Sequence, residues 1–377
     1  MSNILVTGGA GFIGSHLVNS LINSGNRVWV IDSLSPQIHG EDPKMSPLLN
    51  SLDSRVDFIQ GSITSKSLYS GLIDEIDIVI HLASETGTGQ SMYEIEKYAD
   101  VNVLGTAYLL EAILNSSKRV KKIIVASTRA VYGEGKYFCV EHGNVYPESR
   151  SSTRMQVGIW DLFCKQCDSI LVQMPTDEES HLNPQSIYGI TKLTQEQMIL
   201  AFGKAYDLSA VSLRLQNVFG PGQSLSNPYT GILSVFSTRL LNQAQINVFE
   251  DGEESRDFVY ISDVIDAIIK VIESNEKIID IFNVGSGTSS SVSEIANMLI
   301  ALFGGKSEMQ ITGNFRIGDI RHNIADITKI KEKFGYHPQV SIERGLIDFV
   351  NWVKDQPVAK DEYEKSISEL RKLGLLK

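Results

Sequence analysis

Tyr188 and Lys192 stand four apart in the stretch SIYGITK. On a helix, that spacing puts both side chains on one face. A phenol with a pKa near 10 is a poor base at neutral pH, but a neighbouring ammonium favours the phenolate. Beside a hydride acceptor, such a tyrosine can collect the proton of an alcohol that is being oxidised. A helix carrying an ordinary surface lysine is the alternative. A second set lies at the N-terminus, where ILVTGGAGFIGSHLV places Gly8, Gly9, Gly11 and Gly14 between a strand pattern and a helix pattern. Glycines there let the backbone approach a pyrophosphate, and the helix start offers free N–H groups and a positive dipole end. Asp32 closes the next strand run, where a carboxylate accepts hydrogen bonds from an adenosine ribose. Ser33 follows it and no arginine is adjacent, so a 2′-phosphate would meet repulsion. The expected dinucleotide is NAD rather than NADP. The third set is Cys139-x2-His142 and Cys164-x2-Cys167, which together contain every cysteine of the chain. Two such pairs have the spacing of a structural Cys3His zinc site with no open coordination position; three idle cysteines are the alternative.

These residues need a frame. NILVTG, RVWVID, VDFIQG, DIVIHLAS, KKIIVAST and AVSLRLQ are nearly continuous apolar runs, as in strands buried on both faces of a parallel sheet. Segments with helical spacing, such as NVLGTAYLLEAIL, lie between them. The alternation predicts an α/β fold, a Rossmann-type doubly wound parallel sheet with a smaller C-terminal substrate-binding part. Its expected limits are 1–215 plus 256–285 for the dinucleotide unit, and 216–255 plus 286–377 for the second. The pattern breaks at about 134–183, which reads as an inserted lid. A long loop without regular structure is costly to order, and a metal would fold it. The tail KDEYEKSISELRKLGLLK reads as a charged surface helix.

The 377 residues suit two fused units, and a net charge of −11 argues against nucleic-acid or anionic-membrane partners. No secretory leader and no run long enough to span a bilayer is visible, so the expected compartment is the cytoplasm, where thiols stay reduced.

Taken together, TGGAGFIG, HLAS, VNVLGT, VASTRAVYG, YGITK, RLQNVFGPG, RDFVYISDV and GDIRHNIADITK follow one another in an order that resembles the extended short-chain dehydrogenase/reductase family. The branch is that of the NAD-dependent nucleotide-sugar epimerases and dehydratases, and the likeness runs from about residue 3 to residue 340. The resemblance implies that Tyr188, Lys192 and Thr128 are catalytic, with Thr128 hydrogen-bonding the reacting sugar hydroxyl. It implies cofactor contacts from Gly8, Gly11, Phe12, Ile13, Gly14, Asp32, Ser62, Ala83, Asn102, Tyr188 and Lys192. Lys192 would bind the nicotinamide ribose, and Asn102 would orient the helix of Tyr188. Ser62 replaces the family's usual aspartate, so a weaker adenine contact is expected. Asn217 and Arg256 are the implied diphosphate contacts, with Arg321 a further candidate that could equally pair with Asp319 or Asp326. Glu85 and Gln90, in HLASETGTGQSMYEIE, are candidate sugar-hydroxyl contacts, a polar solvent loop being the alternative.

The family's 4,6-dehydratases carry an Asp-Glu pair after the active-site threonine. Arg129 and Ala130 stand there in this chain and cannot do that work. The expected reaction is therefore NAD-dependent 4-epimerisation by reversible oxidation at C4. The expected substrate is a dTDP-6-deoxy-L-hexose, whose 4-epimerases the segment after the fourth strand resembles, or a UDP-hexose. A nucleotide-sugar dehydrogenase or 4-ketoreductase with exchangeable cofactor, and a non-catalytic nucleotide-sugar-binding protein, are the rival readings. The family usually forms homodimers through helices near 102–116 and 188–205.

Overall fold

The structure is a computed structural model and describes every residue except 226, 228–230 and 359–360. Seven parallel strands form the central sheet: β1 (Asn3–Thr7), β2 (Arg27–Asp32), β3 (Asp57–Gln60), β4 (Ile78–His81), β5 (Lys122–Thr128), β6 (Ser209–Leu215) and β7 (Ile279–Val284). Their spatial order is β7-β6-β5-β4-β1-β2-β3. The order runs one way from β1 to β3 and the other way from β4 to β7. The β1/β4 boundary is thus the switch point, outside whose carboxyl ends ligands bind in such sheets. Register sets Thr7 against both Ile31 and His81, and Thr128 against Leu215. Thr7, Asp32, His81 and Thr128, each the last residue of its strand, therefore emerge on one edge.

The strands lack polar alternation because both faces are covered. Ile4, Val6, Val28, Val30 and Ile80 pack with Leu17, Val18 and Leu21 of α1 (Phe12–Asn23). Leu5, Trp29, Ile31, Val79 and Ile123 pack with Leu109 and Ile113 of α2 (Gly105–Leu114), and with Ile199 of α3 (Ile187–Ala205). Helix α4 (Ile261–Glu273) adds Val264 and Ile268 to the first face.

A separate core gathers Phe219, Phe236, Leu240, Ile246, Ile295, Leu299, Leu346 and Phe349 from after β6 and after β7. The C-terminal helix Tyr363–Lys372 forms but is not merely a charged surface element. Tyr363, Ile367 and Leu370 recur on one face and are buried with Leu376 against Val235 and Phe249. Between β5 and α3 the chain makes a three-stranded antiparallel sheet. Tyr137–Cys139 lies at its centre, flanked by Gly143–Val145 and Val172–Gln173. Its small core is Tyr137, Cys139, Leu162, Cys164 and Leu171.

Candidate functional site

A cavity of about 490 Å³ opens at the carboxyl ends of the sheet. Gly8, Gly11, Phe12, Ile13 and Gly14 form one wall, Asp32 and Ser62 another, and Ala83 and Glu85 a third. Two glycines are required by space. A Cβ on Gly14 would lie 2.2 Å from the Gly8 carbonyl oxygen. Gly8 has φ +70°, and a Cβ there would lie 2.8 Å from the Ala83 nitrogen. No side chain caps the N-terminus of α1, so its first N–H groups stay available beside the cavity. Asp32 accepts from the backbone nitrogens of Ala10 at 3.0 Å and Leu34 at 2.9 Å, which fixes its carboxylate at the rim. His39 lies 3.8 Å from Asp32, and burial pulls its pKa below the ordinary histidine value. An uncapped helix start, a glycine cradle and a fixed carboxylate fit a dinucleotide.

Deeper in the cavity stand Thr128, Arg129, Tyr188 and Lys192. Burial raises the Tyr188 pKa, while a hydrogen bond from Thr128 and the Arg129 charge oppose that rise. The sequence pointed to Lys192 as the counter-charge. Burial pulls the Lys192 pKa down to about 7, and the charge that lowers the Tyr188 pKa is that of Arg129. Lys192 donates to Gln195 Oε1. Gln195 Nε2 donates to Thr106 at 2.9 Å and meets His81 Nε2 at 2.9 Å. With Nε2 accepting, His81 directs Nδ1–H at Thr7, 2.7 Å away. Burial holds this histidine neutral, with its pKa down at about 3. Asn102 accepts from the Glu85 nitrogen at 2.8 Å and donates to Thr191 at 3.0 Å, tying the loop after β4 to α3. The Tyr98 ring meets Tyr188 edge-on at 6.4 Å. The chain of Thr7, His81, Gln195 and Lys192 spans three elements; only the pairing of Thr7 with His81 across adjacent strand ends could have signalled it.

The expected substrate contacts divide. Asn217 and Glu85 line the cavity. Asn217 accepts from Arg129 Nε at 3.1 Å, and Glu85 pairs with Lys97 at 3.0 Å. Gln90 does not reach the lining; it is buried and exchanges hydrogen bonds with Gln37, which does. Arg256 and Arg321 also lie behind the wall, because nearby acceptors already take their donors. Arg256 pairs with Asp319 at 3.1 Å and donates to the Ile320 carbonyl at 2.8 Å. Arg321 makes a bidentate pair with Asp251 at 2.6 and 2.8 Å, with Asp161 at 3.3 Å; Asp326 is not its partner. Arg150, from the insertion, grips Glu250 with two hydrogen bonds of 2.6 and 2.7 Å. Glu134 lies beneath this cluster, and burial pushes its pKa up to about 7.

Cys139, His142, Cys164 and Cys167 converge in the insertion, their ligand atoms all within 4.8 Å of one another. None lines the cavity. No helix among the described residues is long and apolar enough to cross a membrane.

The sequence pattern defining the NAD dependent epimerase/dehydratase family matches residues 4–152 and 167–285. The chain belongs to that family. It is 37% identical to a dTDP-L-rhamnose 4-epimerase of Burkholderia thailandensis over 94% of this chain and 95% of that protein. The fold resembles a UDP-glucose 4-epimerase of Thermotoga maritima solved with UDP-glucose, at 32% identity and a TM-score of 0.75, covering 93% of this chain and 98% of that one. A UDP-glucuronic acid 4-epimerase of Bacillus cereus, solved with UDP-glucuronic acid and NAD, gives a TM-score of 0.75 at 28% identity, covering 93% and 99%. The match to the family pattern stops at 152 and resumes at 167, so it omits the stretch that holds Cys164.

Proposed function

We propose that the protein is an NAD-dependent nucleotide-sugar 4-epimerase, acting on a dTDP-6-deoxy-L-hexose such as dTDP-L-rhamnose, or on a UDP-hexose. The observation that carries this reading is the meeting of Thr128, Tyr188 and Lys192 in the same cavity as the uncapped start of α1 and Asp32. The 37% identity to a dTDP-L-rhamnose 4-epimerase favours the deoxysugar. Gly8, Gly11, Phe12, Ile13 and Gly14 would hold the pyrophosphate, with Asp32 on the ribose, Ala83 and Ser62 against the adenosine side, and Lys192 on the second ribose. When bound, NAD supplies the reversible hydride acceptor at C4, giving a 4-keto sugar, and its oxidised ring adds positive charge near the phenol.

Tyr188 takes the C4 hydroxyl proton and later returns it. Thr128 stands in the cavity with that phenol and would orient the hydroxyl. Arg129 lowers the cost of the phenolate from the cavity wall. Asn217 and Arg129 are the polar groups at hand for the diphosphate. Arg256 and Arg321 would contribute only if Asp319 and Asp251 gave them up, which leaves them electrostatic supports in this arrangement. The absence of an acid–base pair at Arg129 and Ala130 disfavours dehydration. His39, held toward its neutral form, offers no counter-charge to a 2′-phosphate, in keeping with NAD.

Exposed Leu104, Leu114 and Ile190 on and beside α2 and α3, with Met92 and Ile95 nearby, support a homodimer through these helices. The deciding experiment incubates the protein with dTDP-, UDP- and GDP-sugars and follows products by NMR. Inversion at C4 with cofactor retained through gel filtration supports the proposal. Net oxidation or reduction needing added cofactor favours the dehydrogenase reading, and binding without turnover favours a non-catalytic protein.

A further inference from the structure

We propose that Cys139, His142, Cys164 and Cys167 bind one structural zinc ion that builds the insertion. Cys139 Sγ lies 3.4 Å from His142 Nδ1 and 3.5 Å from Cys167 Sγ, and Cys164 Sγ lies 3.5 Å from the same Nδ1. Zinc bonds of about 2.3 Å to sulfur and about 2.0 Å to nitrogen give tetrahedral edges of about 3.8 Å between sulfurs and about 3.5 Å from sulfur to nitrogen. The four atoms thus already stand near the corners of a zinc tetrahedron. A disulfide needs sulfurs about 2.0 Å apart, and all three cysteines are free.

The surrounding backbone supplies a second, independent observation. Cys139 pairs with Gly143 across a hairpin that carries His142, and the loop of Cys164 and Cys167 is closed by hydrogen bonds from the Cys164 nitrogen to the Ser169 carbonyl at 2.8 Å and from the Asp168 nitrogen to the Cys164 carbonyl at 2.9 Å. Each pair thus spans a turn closed by backbone pairing, which sets its two ligand atoms close together. Asp168, at φ +56°, holds the strained corner after the second turn. The bridge between Phe163 and Ile170, with a hydrogen bond of 2.9 Å from the Leu171 nitrogen to the Leu162 carbonyl, closes that loop.

The insertion needs such a staple. Its own core is Tyr137, Leu162 and Leu171 with the buried Cys139 and Cys164, too few apolar groups to order this length of chain. Three thiolates and one imidazole select zinc by softness and geometry, and their three thiol protons leave to solvent on binding. Four protein ligands leave no open position and none of them lines the cavity, so the ion is structural. Its effect is to hold the strand of Cys139 to the loop of Cys164, and thereby to present Arg150 to Glu250.

The test is elemental analysis of the purified, untagged full-length protein after gel filtration. One zinc per chain is expected, falling below about a tenth in Cys164→Ser and Cys167→Ser and unchanged in His181→Ala. Because buried Cys164 variants could misfold, the wild-type protein is also grown with cobalt in place of zinc. The thiolate charge-transfer absorption of tetrahedral cobalt is then expected, one ion per chain. Metal-free protein with three titratable thiols, an unchanged melting temperature with added zinc, and no cobalt absorption would overturn the proposal; iron in place of zinc would overturn the choice of metal. None of these readouts depends on turnover, so they stand or fall apart from the epimerase reading.

Discussion

The cavity at the sheet edge and the insertion between β5 and α3 solve opposite problems. Around the cavity, each polar group is positioned by register. Thr7 faces His81 because β1 and β4 pair in that frame, and Thr128 ends a strand whose seven residues are paired to β6. Two apolar layers lock the register, so the geometry of the site is shared among dozens of buried side chains. The insertion has short strands and a five-residue core, and its ties include the Arg150 fork on Glu250 and, in the proposal above, one zinc ion on four ligands. Distributed support tolerates loss of one polar group with the fold intact, whereas concentrated support does not.

The largest expected effect tests the first half of that contrast. Tyr188→Phe should lower epimerase turnover by roughly a hundred- to ten-thousand-fold, the usual range for a lost acid–base group. Its melting temperature should stay within about a degree of wild type, because Tyr188 lines the open cavity and Phe keeps its ring in place. Full activity would remove Tyr188 from the chemistry, and a collapsed melting curve would show that the cavity is less well supported than its cores suggest. Next in size, Arg150→Ala should cost about 1.5–3 kcal/mol in urea unfolding, since it removes the bidentate partner of buried Glu250 and leaves it Arg321 at 3.4 Å. A cost below about 1 kcal/mol would mean that the clasp is not what joins the insertion to the rest. Ile190→Glu comes third. It should convert the proposed dimer to a monomer by light scattering while leaving the fold intact, as a charge on an exposed apolar side chain demands.

The contrast also explains what could be read in the chain. The strands were legible because their runs are apolar throughout, a direct consequence of burial on both faces. The helix of Tyr188 and Lys192 was legible from a spacing of four, and the cysteine cluster from two C-x2 turns. Arg129 was passed over as an electrostatic partner because sequence places it only next to Thr128; its aim into the cavity follows from the short turn after β5. Arg256 was legible as a cation but not as an engaged one, and Arg321 was read as free for phosphate or paired with Asp319 or Asp326, because Asp251 and Asp161 reach it only in the folded chain. Gln195 and His81 are too far apart in sequence for pattern to join them. The tail's stripe of Tyr363, Ile367 and Leu370 was present in the sequence, but the charges between them masked it.

The smallest effect sharpens the boundary between the two regions. Glu134 lies where the insertion begins. It accepts from the Arg321 nitrogen at 2.8 Å, and its other oxygen stays 3.5 Å from Arg150 Nε without a hydrogen bond. Burial raises its pKa from 4.5 to about 7. The folded protein therefore binds a proton there between those values while the unfolded chain does not, and stability falls as pH rises through that window. Glu134→Gln keeps the shape and removes the titration. Relative to wild type, its melting temperature should rise between pH 5 and pH 8, with the change centred between pH 4.5 and 7. If instead the wild type gains on the variant as pH rises, the carboxylate is paying its way as an ion partner of Arg150, and the junction belongs with the electrostatically held insertion rather than with the register-held cavity.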